Sequence, residues 1–224
     1  MSKFNGQARQ DEFVVNMTNH KKNGFFLEIG SMDPVKINNT YILEKEYGWT
    51  GIMVEYDKKW LSHYQEKRPN SIHVMEDATK INYKTLFEEN NVPLNSDYLQ
   101  IDLEVNDGGT MRTLNKLKKE VLGKYKFATI TFEHDIYHTN FLNTRAESRK
   151  IFEDLGYLRI FNDVNSVGGS CPFEDWYIHP DLVDLDYVFY LLEKNVNKYK
   201  NIKQRKFKDS PVDKTICCKD IEYK

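Results

Sequence analysis

Short apolar runs alternate with amphipathic segments along most of this chain. Phe25–Ile29, Gly51–Glu55, Ser71–Met75, Tyr98–Glu104, Phe127–Phe132, Tyr157–Asp163 and Trp176–Ile178 are compact enough to read as strands. Between them the apolar spacing becomes helical, over Asn38–Tyr47, Lys58–Glu66, Tyr83–Asn90, Thr110–Leu122, Thr144–Leu155 and Leu185–Lys194. The 110–122 segment is the clearest, with Met111, Leu114, Leu117 and Val121 on one face. Asn or Thr before the 38–47 segment and Gly48 after it supply the expected helix ends. A short helix is expected within Gln7–His20, carried by Phe13, Val14, Val15 and Met17. Strands alternating with helices mean βαβ units and a mainly parallel sheet. The pattern predicts one domain over 1–224, with 1–23 as a helical lead-in and 198–224 as a basic tail.

Composition narrows the class. The chain has 224 residues, 40% of them hydrophobic, which is enough for one substantial core. A net charge of −2 gives no overall sign of nucleic-acid binding. Locally, Lys198–Lys208 is rich in lysine and arginine and reads as a solvated surface or tail. Three cysteines, two of them adjacent at Cys217 and Cys218, make no disulfide framework. Reduced thiols and a cytoplasmic location are expected. No apolar run reaches the length of a membrane span.

Candidate chemistry begins at the strand ends. Glu28, Glu55, Asp77, Asp102 with Glu104, and Glu133 with Asp135 fall at the C-terminal ends of the first five strands. Ligands of open α/β sheets bind at that edge. Gly30 follows the first strand, but Met32 and Val35 occupy the later glycine positions of a dinucleotide fingerprint. A row of acids repels a pyrophosphate. It suits a ligand with positive charge and free hydroxyls, which S-adenosylmethionine provides through its sulfonium, ammonium and ribose diol.

Several stretches carry a family resemblance. They are Gln10-Asp11-Glu12-Phe13-Val14, Gly24 to Gly30, Asn39-Thr40-Tyr41-Ile42-Leu43-Glu44-Lys45, and Gly48-Trp49-Thr50-Gly51-Ile52 with Glu55. Asp102-Leu103-Glu104, Gly156-Tyr157 and Glu174-Asp175-Trp176-Tyr177 continue it. In these residues the chain resembles the FkbM-type methyltransferases, a branch of the class I S-adenosylmethionine-dependent enzymes. The resemblance implies a Rossmann-like α/β fold: a mostly parallel seven-stranded sheet with helices on both faces. It implies methyl transfer to oxygen, most often on a sugar of a glycan or glycoconjugate. By position, Glu28, Gly30, Ser31, Asp33 and Asn39 would surround the methionine end of the cofactor. Glu55 and Tyr56 would hold the ribose, and Asp77 and Ala78 would flank the adenine. The chain departs from the family pattern at Pro34 and Val105, where the family has glycine, and at Asp107, where it has glutamate.

A sugar hydroxyl needs its proton removed before it attacks the sulfonium carbon. Two devices fit the residues. One is a general base, with His134 between Glu133 and Asp135 as first choice and Asp102 as second. The other is a divalent cation, Mg²⁺ or Mn²⁺, on the hard oxygen ligands Asp102, Glu104, Glu133 and Asp135. Tyr137, Phe141 and Arg145 lie where an acceptor lid is expected. The other readings are an N- or carboxyl-methyltransferase, and a non-catalytic module that binds a nucleoside.

Overall fold

The computed structural model describes residues 4–138, 141–166 and 169–195. The basic segment 198–224 lies outside the described residues. Seven strands form one sheet: β1 Phe25–Ile29, β2 Thr50–Val54, β3 Ile72–Val74, β4 Asn95–Ile101, β5 Lys126–Glu133, β6 Leu158–Asn165 and β7 Pro172–Ile178. Their spatial order is β3-β2-β1-β4-β5-β7-β6. Pairing is parallel except at β7, which runs antiparallel to both β5 and β6. The order reverses direction between β1 and β4, the switch point where such sheets place ligands.

Seven α-helices accompany the strands: α1 Gln10–Met17, α2 Tyr41–Tyr47, α3 Leu61–Lys67, α4 Tyr83–Glu89, α5 Gly109–Leu117, α6 Leu142–Asp154 and α7 Leu185–Asn195. A π-helical turn, Lys118–Leu122, extends α5. Strand side chains alternate between faces, and two cores result. Leu27, Ile29, Leu99, Ile101, Ile130 and Phe132 join residues of α4, α5 and α6 on one side. Phe26, Tyr98 and Trp176 join residues of α1, α2, α3 and α7 on the other. The expected mostly parallel sheet with helices on both faces is therefore present. No helix among the described residues is long and apolar enough to cross a membrane. Cys171 is disulfide-bonded, which departs from the expectation of reduced thiols.

Some boundaries differ from the apolar pattern. β4 starts at Asn95 and ends before Asp102, because its polar start is satisfied rather than solvated. Asp97 accepts from the Phe25 amide at 2.9 Å and pairs with Lys21 at 2.6 Å. β7 begins four residues earlier than expected, at Pro172, and carries two buried acids, Glu174 and Asp175. α2 starts at Tyr41, not Asn38. The Thr40 hydroxyl does not cap the helix; it donates to Glu28 Oε2 at 2.8 Å. Gly48 ends α2 in the left-handed conformation, as expected.

That Thr40 contact belongs to a buried network which fixes the loop after β1. Arg68, fully buried, donates to Glu44 Oε2 at 2.8 Å, Asn38 Oδ1 at 2.8 Å, Thr40 Oγ at 2.7 Å and the Pro34 carbonyl at 3.2 Å. Asn38 Nδ2 reaches Glu28 Oε2 at 3.2 Å. Pro34 thus contributes through its carbonyl, and the missing amide costs the loop nothing it uses here. Burial raises the Glu28 carboxyl to about 7 from an ordinary 4.5, while Arg68, Thr40 and Asn38 pull it back down. A raised carboxyl favours the protonated native state, so its contribution to stability declines as pH climbs from about 4.5 through about 7. Arg68→Met removes the only guanidinium from this network. It is expected to cost about 3–5 kcal/mol, the range for stranding a buried charge. Urea denaturation will show a larger loss near pH 8 than near pH 5, where Glu28 keeps its proton.

Candidate active site

The turn that follows β1 is set by a close approach. Gly30 has φ +86°, and a Cβ there would lie 1.8 Å from the Asp102 carbonyl oxygen. Only glycine lets the ends of β1 and β4 come this near. Met32 follows in the same left-handed region, at φ +43°. Its amide donates to Glu55 Oε2 at 2.9 Å and its carbonyl accepts from the Tyr64 hydroxyl at 2.6 Å. Those two bonds hold a conformation that costs a non-glycine residue roughly 1 kcal/mol or more. The fingerprint glycine is absent at this position, yet the turn it would make is kept.

Beyond this turn lies a cleft of about 290 Å³ at the C-terminal edge of β1, β2, β3 and β4. That is near the lower end for small-molecule sites, about 300–1,000 Å³. Glu55 stands in its wall. Oε2 accepts the Met32 amide and Oε1 accepts the Asp57 amide at 2.8 Å. Each carboxylate oxygen has a second lone pair, so an anchored pair of acceptors is left in the cleft wall. Asp77 is drawn down to about 2, chiefly by the Thr79 hydroxyl and then by Lys80. Of the residues that line the cleft, Glu55, Glu76, Asp77, Glu104 and Asp107 are acidic and Arg112 is basic, and Lys80 pairs with Asp77 at 3.0 Å. Arg112 itself bonds the Asp107 carbonyl. The edge is acidic, as the strand-end acids suggested.

Of the expected cofactor residues, Gly30, Glu55, Tyr56, Asp77 and Ala78 meet in this cleft. Glu28, Ser31, Asp33 and Asn39 are not in its wall. Glu28 is buried among Asn38, Thr40 and Arg68. The Ser31 hydroxyl donates to the Val54 carbonyl at 3.1 Å. Asp33 accepts the Val35 and Lys36 amides, both at 2.8 Å, and so makes the turn. Asn39 is buried at 3% exposure. These residues build the loop instead of lining the cleft. Leu103, Thr79, Asp107 and Arg112 line it without having been singled out. The altered Val105–Gly109 segment still makes a tight turn into α5. Gly108 N reaches the Val105 carbonyl at 2.9 Å, and Asp107 Oδ1 accepts the Gly109 amide at 2.6 Å.

His134 does not occupy the position of a general base. It is fully buried on the α6 side of the sheet, with Nε2 3.4 Å from Asp175 and 3.7 Å from Asp163. Its Nδ1 accepts the Ile136 amide at 3.2 Å, so the ring hydrogen sits on Nε2 and faces the two acids. Arg149 bridges Asp163 at 2.9 Å and Asp175 at 2.6 Å, and Arg145 meets Asp163 at 3.0 Å. Together these groups form a buried ionic network. Among the described residues this is the one trio of His, Cys, Asp or Glu ligand atoms close enough to surround an ion. Arg145, expected in a lid, belongs to this network. The four acids expected to hold Mg²⁺ or Mn²⁺ are not brought to that distance: Glu104 is exposed on the cleft wall, while Glu133 is buried. Trp176 and Tyr177 are fully buried packing residues.

Asp102 remains at the site, partly exposed at the end of β4, with Gln100 Nε2 at 3.3 Å from its Oδ2. Its neighbour Glu133 is pushed well above the usual carboxylate range by burial and by the charges of Asp102, Asp135 and Glu174.

No family model matches the chain, and no curated protein matches it. Solved structures do. A protein from Clostridium thermocellum assigned as an rRNA-methylase superposes with a TM-score of 0.51 at 8% identity, over 80% of this chain and 99% of that one. The METTL16 MTase domain gives 0.53 at 11% identity, over 79% of this chain and 67% of that one. The fold is that of the class I methyltransferases. At these identities the likeness speaks for the fold alone.

Gly30→Ala tests the close approach at the site's base. The added methyl must push Asp102 away, at a cost of roughly 2–3 kcal/mol from strain and overpacking. Thermal denaturation will report a lower midpoint, and a methyl-sized substitution at solvent-facing Gly123, where nothing lies within 4 Å, will not reproduce it.

Proposed function

We propose that the chain is an S-adenosylmethionine-dependent methyltransferase of the FkbM type that methylates a hydroxyl oxygen, most often of a sugar in a glycan or glycoconjugate. The observation that carries the reading is the Glu55 carboxylate. It is tethered by two backbone amides and set in a cleft whose other charges are almost all negative. Such a wall favours a ribose diol and disfavours a chain of phosphates. The class I fold supports the same cofactor, and the glycine turn at Gly30 leaves the backbone bare where a ligand approaches.

The cofactor, when bound, supplies an electrophilic methyl group on a sulfonium. The protein's part is to hold, align and dehydrate the reacting pair, since an in-line displacement gains most from geometry. Glu55 fixes the nucleoside by its diol. Ala78 and Leu103 give it apolar contact, and Tyr56 flanks the mouth. Asp102, at the strand end next to the cleft, is the group placed to receive the acceptor's proton. The buried His134 network holds the end of β5 firm and takes no part in proton transfer.

One further observation favours a second reading. The Clostridium thermocellum neighbour is assigned to rRNA, and an RNA acceptor is the corresponding alternative here. The acid-lined edge argues against it, because phosphate contacts need Lys and Arg. Fluorescence anisotropy with short RNA duplexes and single strands at low salt separates the two.

Titration calorimetry with S-adenosylmethionine and S-adenosylhomocysteine tests the reading directly. Binding in the micromolar range is expected, and no binding of either at millimolar concentration ends the methyltransferase assignment. Glu55→Ala removes two hydrogen bonds to a charged group, each worth about 1.5–3 kcal/mol, so affinity should fall by about 100-fold or more. With an acceptor in hand, His134→Gln is expected to lower the thermal midpoint while leaving the pH profile of turnover in place. An altered profile would return His134 to the chemistry.

A further inference from the structure

Two residues of the loop after β1 combine a strained backbone with an exposed apolar side chain. Met32 has φ +43° and Ile37 has φ +55°, and each is 65% exposed. Left-handed backbone is unfavourable for a residue with a Cβ, most of all for a β-branched one. Such strain clusters at ligand clamps, where the surrounding structure imposes it. An apolar side chain left in water gives the fold no burial in return. A glycine, as at the second position of a dinucleotide fingerprint, would take the Met32 conformation without strain. The free chain therefore gains nothing from the side chain that stands there.

Met32 is tied directly to the cleft wall. Its amide donates to Glu55 Oε2 at 2.9 Å and its carbonyl accepts from the Tyr64 hydroxyl at 2.6 Å, so its backbone is fixed from both ends. One hydrogen bond separates Met32 from the carboxylate, and one more separates that carboxylate from a ligand hydroxyl. Glu55 Oε1 accepts the Asp57 amide at 2.8 Å. Tyr56, between those two residues, lines the cleft and is 75% exposed. Glu55 is thus tethered on one oxygen beside Met32 and on the other beside Tyr56. Ile37 instead adjoins Asn38, a member of the buried Arg68 network.

We infer that Met32 binds the cofactor, its side chain closing over the nucleoside that Glu55 holds by the diol and leaving water when that ligand arrives. The chemistry fits in three respects. A thioether chain is unbranched and adapts to an irregular surface, and its sulfur makes favourable contacts with an aromatic ring such as a purine. The side chain is uncharged, so it joins Tyr56, Ala78 and Leu103 as apolar contact beside a wall rich in carboxylates. The strained backbone is already held by two hydrogen bonds, so the ligand does not have to order it. The inference rests on the methyltransferase reading and adds to it a residue at the position where a dinucleotide site has glycine.

Methionine oxidation by hydrogen peroxide, read by peptide mass spectrometry on the full chain, compares the free protein with the protein saturated by S-adenosylhomocysteine. Met32 is expected to oxidise at least about 5-fold more slowly in the complex, since oxidation follows exposure. Met17 and Met53, at 1% and 0% exposure, are protected in both states and serve as references. Met32→Gly removes the side chain and keeps both backbone hydrogen bonds. Calorimetry should then show S-adenosylhomocysteine binding about 10-fold weaker. The thermal midpoint of the free variant should equal or exceed that of the wild type, because glycine takes this φ freely. Met32→Leu should restore the affinity, and Ile37→Gly should leave it unchanged. An unchanged oxidation rate in the complex overturns the inference, as does a Met32→Gly variant that binds as tightly as the wild type. An equal loss of affinity in Ile37→Gly overturns it too, because loop stiffness then explains both results. Failure of the wild-type chain to bind S-adenosylhomocysteine sinks the methyltransferase reading, and this inference with it.

Discussion

The approach of Gly30 to the Asp102 carbonyl is the contact on which the site's geometry depends. It closes the gap between β1 and β4, where the strand order of the sheet reverses. One consequence runs toward β2. With Gly30 turned left-handed, Met32 can bring its amide to Glu55 and hold that carboxylate in the cleft wall. The other runs toward β5. Asp102, held at the strand end by its own amide bonding the Ile29 carbonyl at 3.0 Å, places its carboxylate against Glu133. A single backbone contact thus sets the spacing between the nucleoside cleft and the neighbouring acids.

The protein buries carboxylates in three ways, and each has a different purpose. Glu44 and Glu28 share the surroundings of Arg68, whose guanidinium also gathers Asn38, Thr40 and Pro34 and so shapes a loop. Asp163 and Asp175 are met by Arg145, Arg149 and the Nε2–H of His134, which ties α6 to β6 and β7. Asp175 is accordingly held well below the ordinary range despite its burial, by His134 and Arg149. Glu133 and Glu174 have no such cation among their main influences, and both are pushed well above the ordinary range by burial. Buried charge is expensive unless paired, so burial favours the neutral form of these two. The contrast separates acids that hold the fold together from acids left short of partners beside the cleft.

Much of the fold was legible in the apolar pattern because β1, β2 and β5 are local signals: compact hydrophobic runs that begin and end near where the sheet pairs them. β7 was read as three residues because its acids interrupt the run. The structure shows each acid answered by something far away in sequence, Glu174 by Gln10 and Asp175 by Arg149. The same distance effect misplaced His134. Read between Glu133 and Asp135 it looks like an activated base, but alternation along β5 sends it to the opposite face from Glu133. Its partners there come from β6 and β7. Glu28 misled in a similar way. A strand-end acid looks available, and only the burial of Arg68 beneath it shows that it is taken. The cleft was easier, since Glu55, Asp77 and Ala78, which meet in its wall, follow the strands that end there.

The placement of charge explains why one sheet edge can attract a cation and still stay folded. The acids of the cleft wall, Glu76, Glu104 and Asp107, are exposed, so solvent carries most of their mutual repulsion. The deeper acids cannot rely on water, and burial pushes the carboxyls of Glu133 and Glu174 well above the ordinary range, toward the neutral form. The exposed charge at the mouth favours a positively charged ligand over an anionic one. A phosphate chain would meet repulsion at the mouth. The acidity of this edge thus follows from where carboxylates fall along the strands, with Met32 keeping the turn that a second glycine would otherwise have made.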